Sequence, residues 1–171
     1  MPKVFTSAVV GAPAGEVWAL LRDFAAIGDW HPALPPAEIE DGPADRVGCV
    51  RGLPLAGGHR ETLVGLDDRQ RTITFAFADN AAGLPVRNYL STMTVRPVTI
   101  GNGAYIEWSS QFDCDEGDEG KATAQIRDGV LVPGLRALGN ASAPRRRSRA
   151  RRRNAAPPRP VGPARAQVRV G

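Results

Sequence analysis

The sequence predicts an α+β protein in which a curved antiparallel β-sheet wraps round a long C-terminal helix and encloses a hydrophobic cavity. Two observations predict this class. Runs in which every second residue is apolar follow one another with short turns between them, as in antiparallel strands with one buried face. Ahead of residue 140 the apolar residues change to a spacing of three and four, which indicates a helix that covers the sheet.

The chain begins with a strand and two short helices. Residues 3–10 alternate as a strand does and end at Gly11. Pro13 suits the first turn of a helix, and the apolar residues from Val17 to Phe24 recur at helical spacing. Residues 24–27 predict a second short helix that stops at Gly28, ahead of the proline-rich loop that contains Trp30-His31-Pro32, where we expect the mouth of the cavity.

Five or six strands and the last helix complete the predicted domain. Turn-forming residues divide the strands at about 36–42, 46–54, 59–67, 71–78, 87–97 and 103–113. A helix begins at Asp118, where acidic residues in the first turn suit the helix dipole. Pro133 falls inside this helix, and a proline there removes a hydrogen bond and predicts a kink.

The alternation places two charged side chains on the inner face of the sheet. Val47, Cys49, Arg51 and Leu53 share one face of a strand, and Glu61 shares a face with Leu63 on the next. An inward Arg51 and an inward Glu61 on adjacent strands can pair, which lowers the cost of burying both charges. A purely structural cross-strand ion pair is the competing interpretation.

Aromatic and aliphatic side chains with the same inward phase predict the cavity wall. Tyr89 belongs to this set, either as a pocket residue or as an ordinary core tyrosine. We predict ligand contacts from Trp30, Phe75, Phe77, Met93, Trp108 and Val130. His31 and His59 have no second ligand at metal-binding spacing, so we expect both to be solvated. With no phosphate-binding glycine loop, nucleophile elbow or metal cluster, the sequence predicts a site without cofactor or metal.

The charge is divided between two regions. Residues 1–140 hold 12 Lys and Arg against all 18 Asp and Glu, a net charge of −6, whereas residues 141–171 hold 10 Arg and no acid. We predict a domain over 1–140 and a disordered Arg/Pro-rich tail over 141–171. The tail is either an unspecific binder of phosphate-bearing surfaces, such as nucleic acid or anionic membrane, or an extension without function.

Two further expectations concern location and assembly. The N-terminus shows no charged segment followed by an apolar run, and no apolar stretch is long enough to span a membrane. We therefore expect a cytoplasmic protein without a transmembrane segment. We also expect a monomer or weak homodimer with a hydrophobic small molecule as its partner and no specific nucleic acid.

An ordered set of short motifs resembles a known superfamily. The motifs are Leu21-Arg22-Asp23-Phe24, Trp30-His31-Pro32, Ile39-Glu40-Asp41-Gly42, Val47-Gly48-Cys49-Val50-Arg51, Arg60-Glu61-Thr62-Leu63, Tyr89-Leu90-Ser91-Thr92, Arg96-Pro97-Val98 and Ile106-Glu107-Trp108-Ser109. Over about residues 3–139 they are similar to the START-like and birch-pollen-allergen-like proteins, the SRPBCC superfamily of polyketide cyclases, dehydrases and lipid carriers. The resemblance implies a helix-grip fold with an internal cavity.

Within that superfamily the chain resembles the lachrymatory factor synthases. This resemblance implies that Arg51, Glu61 and Tyr89 stand in catalytic positions, while Phe75 occupies the position of a second pocket tyrosine and lacks its hydroxyl. The implied chemistry is cofactor-free cyclisation, dehydration or isomerisation of a polyketide-like carbonyl compound, with Glu61 as general acid or base. The alternative from the same superfamily is a non-catalytic carrier or receptor for a lipid or another hydrophobic ligand.

Overall fold

The computed structural model describes residues 1–54, 58–78 and 84–141, so the predicted disordered tail lies, apart from Ala141, outside the described residues. Seven strands form one antiparallel sheet in the spatial order β1-β7-β6-β5-β4-β3-β2. The strands are β1 (Lys3–Val10), β2 (Glu38–Asp41), β3 (Val50–Leu53), β4 (His59–Asp67), β5 (Thr72–Phe77), β6 (Arg87–Val98) and β7 (Gly103–Asp113). The predicted meander is confirmed, with β1 paired to β7.

The connection between β6 and β7 illustrates why the turns were predictable. Gly101 and Asn102 both have positive φ, 86° and 51°, which glycine and asparagine adopt at lower cost than other residues. This turn sets the long β6–β7 register, in which Met93 faces Trp108. The predicted inward position of Val47 is wrong: its side chain is 62% exposed, because Gly48 at φ 97° turns the chain before β3 begins at Val50.

Helices from the N-terminal and the C-terminal part of the chain cover the sheet. They are α1 (Ala14–Leu21), a 3-10 turn (Phe24–Ala26), α2 (Ile27–Trp30), α3 (Glu119–Ile126), a π-helical turn (Arg127–Leu131) and α4 (Val132–Ala141). The sequence predicted that the second short helix stops at Gly28, but α2 continues through this residue to Trp30. Gly28 permits a close approach, since a Cβ there would collide with the Pro35 carbonyl.

The predicted irregularity at Pro133 takes the form of a π turn. Pro133 has no N–H to give to the carbonyl four residues earlier, so the helix is wider just before it. The amide of Val132 instead donates to the Arg127 carbonyl, five residues back. This wide turn presents Gly129 and Val130 to the space between helix and sheet.

The core lies between the helices and the inner face of the sheet. A register shift between Leu63 and Gly65 bends β4, as β-bulges do, and the sheet curves over the helical layer. Among the largest fully buried side chains are Phe24, Trp108, Phe112, Ile126 and Leu131. The expected curved sheet around a C-terminal helix is therefore confirmed. In the described part of the chain, no helix combines the length and the hydropathy that crossing a membrane requires.

Candidate functional site

A cavity of ≈ 220 Å³ separates the sheet from the helices. Its apolar wall comes from the three strands β3, β5 and β7, from α2 and the loop after it, from the segment before β6, and from the end of α3 and the π turn. The apolar lining consists of Ile27, Ala33, Leu34, Leu53, Phe75, Phe77, Leu84, Trp108, Ile126, Gly129 and Val130. Three side chains with polar groups, His59, Glu61 and Tyr89, complete the lining. The predicted hydrophobic cavity is present and has one polar region on the sheet side.

Glu61 is paired with Arg51 across β3 and β4, as the sequence predicted. The two residues face each other in the antiparallel register. Arg51 Nε donates to Glu61 Oε2 at 2.7 Å, and Nη2 lies 2.5 Å from the same oxygen without the geometry of a hydrogen bond. The side chains are only 3% and 6% exposed, so the pair is almost completely removed from water. Its desolvation is offset by the charge contact and by further bonds to the guanidinium.

Arg51 lies behind Glu61 and does not line the cavity. Its Nη1 donates to the Phe24 carbonyl at 2.5 Å, which ties β3 to the turn before α2. The guanidinium carbon stands 4.0 Å from the centre of the Phe24 ring and 5.0 Å from that of Phe75. Cation–π contacts of this kind stabilise a desolvated guanidinium. The arginine is thus held by protein groups on several sides.

The electrostatics keep Glu61 ionised. Burial alone would raise the pKa of its carboxyl group, but the positive charge of Arg51 and the contact with His59 outweigh burial and lower it. Because Arg51 uses Oε2, the other oxygen, Oε1, is the one directed at His59, whose Nε2 lies 3.5 Å away. The cavity therefore contains a carboxylate whose charge is balanced from behind.

His59 is a site residue that the sequence interpretation missed. We expected a solvated side chain at a turn, whereas His59 is 9% exposed and lines the cavity. Its ring meets Phe77 edge to face, with the centroids 4.1 Å apart. The signal was available, since His59 lies two residues before Glu61 on one strand and therefore shares its face.

Tyr89 has its hydroxyl in a buried chain of hydroxyl groups. The phenol oxygen is 2.8 Å from Ser110 Oγ, which is 3.0 Å from Ser91 Oγ, and Ser91 accepts a hydrogen bond from Trp108 Nε1 at 2.8 Å. The Tyr89 ring stacks on Phe77 with centroids 4.0 Å apart. Burial raises the pKa of Tyr89 to about 12, so the phenol carries its proton at neutral pH.

The predicted ligand-contact residues divide into two groups. Phe75, Phe77, Trp108 and Val130 line the cavity. Trp30 lies behind this lining and packs against Trp108, with ring centroids 6.0 Å apart. Met93 is also outside the lining and is buried in the core, opposite Ile73 on the neighbouring strand.

His31 is buried, contrary to the expectation of a solvated histidine. Its Nδ1 accepts a hydrogen bond from the Ala33 amide at 3.2 Å, so Nε2 carries the proton and donates to the Val130 carbonyl at 2.9 Å. The proline-rich loop is thereby attached to the π turn, beside the cavity. Burial lowers the pKa of His31 and favours this neutral form.

Metal ligation was not expected, and the described residues offer no group of three His, Cys, Asp or Glu side chains placed to hold a metal ion. The two cysteines, Cys49 and Cys114, are free thiols.

Comparison with known proteins places the fold and the site in context. A family model described as polyketide cyclase/dehydrase and lipid transport matches residues 1–143. The structure of XoxI from Bacillus cereus is 31% identical, with a TM-score of 0.72 over 83% of this chain and 96% of that one. A protein from Thermobifida fusca is 28% identical, with a TM-score of 0.76 over 83% and 93%.

A plant enzyme shares the fold at lower identity. Truncated norcoclaurine synthase from Thalictrum flavum is 17% identical, with a TM-score of 0.60 over 82% of this chain and 89% of that one, which is a likeness of fold alone. The family match extends over the whole described structure, from the first strand through the last helix. The chain is therefore a member of the polyketide cyclase/dehydrase and lipid transport family, within the SRPBCC superfamily.

Proposed function

We propose that the cavity binds a small hydrophobic carbonyl compound and that Glu61 exchanges a proton with it, without a cofactor, in a cyclisation, dehydration or isomerisation. The observation that carries the proposal is the environment of Glu61. Arg51 holds one carboxylate oxygen from behind, and the carboxylate stands at the wall of an otherwise apolar cavity. Such a group meets a ligand where little water competes for it.

The cavity selects its ligand by size and charge. An apolar cavity of about 150 Å³ accommodates benzene, so a cavity of ≈ 220 Å³ suits one ring with a short side chain. Arg51 neutralises Glu61, so the buried pair adds no net charge to attract a cation or an anion. A neutral ligand with one polar end fits both features.

The proposed proton step is enolisation of the bound carbonyl compound. Glu61 takes a proton from the carbon next to the carbonyl group. The C–H bond breaks, the carboxylate gains an O–H bond, and the electron pair moves to the carbonyl oxygen. Tyr89 carries its proton at neutral pH, so its hydroxyl is suited to donate a hydrogen bond to the oxygen on which the charge develops.

Arg51 takes a different part from the catalytic position that the resemblance implied. Its Nε and Nη1 are bound to Glu61 and to the Phe24 carbonyl, and Phe24 lies over the guanidinium. We therefore treat Arg51 as a positioning residue. It sets the orientation of the carboxylate and keeps it ionised.

A carrier or receptor function is the second candidate. The observation in its favour is that Arg51 and Tyr89 are both engaged by other groups of the protein, as purely structural residues would be. A carrier would bind the same neutral ligands, but replacement of Glu61 would leave no reaction to lose.

Deuterium exchange separates the two candidates. Benzylacetone, a one-ring ketone, is incubated with the full chain in D2O, and loss of its α-hydrogens is followed by proton NMR, while binding is followed by tryptophan fluorescence. We expect exchange with the wild type and a loss of at least about 10²-fold with Glu61→Gln. The control Glu107→Gln changes an outward carboxylate on β7 that faces Arg96, and it should exchange as the wild type does.

The outcomes are distinct. Binding of benzylacetone to the wild type and to Glu61→Gln alike, with exchange in neither, would identify a carrier. Exchange that survives in Glu61→Gln would remove Glu61 from the chemistry. Native mass spectrometry of the purified chain identifies the class of ligand, because it gives the mass of any molecule that co-purifies in the cavity.

A further inference from the structure

Two titratable side chains stand next to each other on the cavity wall. His59 and Glu61 are alternate residues of β4 and point the same way, and the pleat places their ends close together. His59 Nε2 is 3.5 Å from Glu61 Oε1. Both line the cavity, and both are almost completely buried. Ring packing against Phe77 fixes the orientation of the imidazole.

The neighbouring groups leave this contact available for chemistry. The charged and titratable groups around it are Arg51 on β3, which occupies only Oε2, Tyr89 on β6, whose hydroxyl is bonded to Ser110, and His31 on the proline-rich loop, whose two ring nitrogens are bonded to backbone groups. Arg60, between the two residues, points to the other face of the sheet and meets Glu40. The carboxylate therefore has one oxygen for structure and one that His59 and a ligand can share.

We propose that His59 is a second catalytic residue, the general acid that works with Glu61 as general base, and that the pair eliminates water from a one-ring β-hydroxy carbonyl compound. This inference rests on the proposed function and selects dehydration among its reactions. It also assigns the polar end of the cavity to a substrate with two oxygens, a carbonyl near Tyr89 and a hydroxyl near His59.

The step balances within the pair. Glu61 takes the α-proton, and the electrons of the broken C–H bond form the C=C bond as the C–O bond to the hydroxyl breaks. His59 gives the proton on Nε2 to the leaving oxygen, which departs as water. Glu61 then holds one proton more and His59 one fewer. The proton then returns from Oε1 to Nε2, which stand 3.5 Å apart, and both groups are restored.

The two proton transfers are tested with two compounds of matched size. Benzylacetone needs only the base, because its α-hydrogens exchange without a leaving group. The aldol adduct of benzaldehyde and acetone needs the base and the acid, and its dehydration product absorbs in the near ultraviolet. Each compound is given to the wild-type full chain and to Glu61→Gln, His59→Gln and His59→Phe. The last variant keeps the ring that packs on Phe77.

We expect His59→Gln and His59→Phe to lose dehydration of the adduct by at least about 10²-fold more than they lose exchange of benzylacetone. Glu61→Gln should lose both activities. The control Arg60→Gln alters the same strand on its other face and should keep both activities. Binding of benzylacetone, measured by tryptophan fluorescence, shows whether each variant has kept its cavity.

Three outcomes would overturn the inference in distinguishable ways. Dehydration that persists in both His59 variants removes the acid role and leaves the proposed function standing. A wild type that exchanges benzylacetone but never dehydrates the adduct refutes the reaction class alone. A wild type that neither exchanges nor dehydrates refutes the proposed function and the inference together.

Discussion

Replacing Arg51 by methionine tests the central ion pair through its effect on stability. The two side chains are 3% and 6% exposed, so the variant leaves a buried carboxylate without its counter-charge. Breaking a buried pair in this way costs about 3–5 kcal/mol. Methionine keeps the apolar contact with Phe24 and Phe75, so loss of packing adds little. We expect the free energy of unfolding at neutral pH to fall by that amount.

The pH dependence of this loss makes the test specific. In the wild type the pKa of Glu61 is lowered, so the pair contributes its stability above the unfolded value of about 4.3 and loses it as the pH falls through the folded pKa. In Arg51→Met the effect of burial is no longer opposed by Arg51, so the folded pKa rises. The carboxyl then becomes neutral as the pH falls, and the difference from the wild type shrinks as the pH approaches the unfolded value of about 4.3.

Urea unfolding followed by tryptophan fluorescence measures both effects. Arg96→Met is the control, since Arg96 lies 3.8 Å from Glu107 at the surface and its loss should cost no more than about 1 kcal/mol at either pH. Adding Glu61→Leu to Arg51→Met removes the unpaired charge and should restore most of the stability. A destabilisation by Arg51→Met that stays constant or grows at low pH would refute the electrostatic account.

Two further predictions concern the contact between the proline-rich loop and the π turn. Because burial lowers the pKa of His31, its stability contribution is complete above the unfolded value of about 6.5 and declines as the pH falls below it. Thermal unfolding of His31→Gln should therefore depend less on pH below that value than unfolding of the wild type, and equal slopes would contradict this. A Cβ at Gly134 would lie 2.5 Å from Trp108 Cζ3 and 2.7 Å from His31 Cδ2, so Gly134→Ala should lose about 1–3 kcal/mol in urea unfolding. Gly120→Ala, whose Cβ meets nothing within 4 Å, should lose nothing, and equal losses would refute the packing argument.

The sheet was predictable because one of its faces is buried. Alternation is strongest where inward residues meet a core, and the strands predicted at 87–97 and 103–113 are observed as Arg87–Val98 and Gly103–Asp113. Prediction failed at the short strand β3. There Val47 continues the apolar pattern, but the left-handed backbone at Gly48 breaks the strand. A sequence pattern does not report such a turn.

The two histidines show what local patterns leave undetermined. His31 was placed in a loop, and loops lie mostly on the surface. Its burial depends on the Val130 carbonyl, 99 residues away in sequence, which the π turn brings over the loop. His59 carried a local signal, the shared face with Glu61, but its position at the end of a strand favoured the solvated interpretation.

Arg51 marks the limit of the same reasoning for the site itself. A period of two places Arg51 and Glu61 on the inner face of adjacent strands, where they can pair, and the register confirms the pairing. It does not say which of them reaches the cavity, because that depends on what covers each one. The Phe24 turn covers the guanidinium, so only the carboxylate contributes to the cavity wall. This burial gives the two charges different positions: the arginine is enclosed by protein groups, and it keeps an ionised carboxylate, with its charge already balanced, at the wall of an apolar cavity.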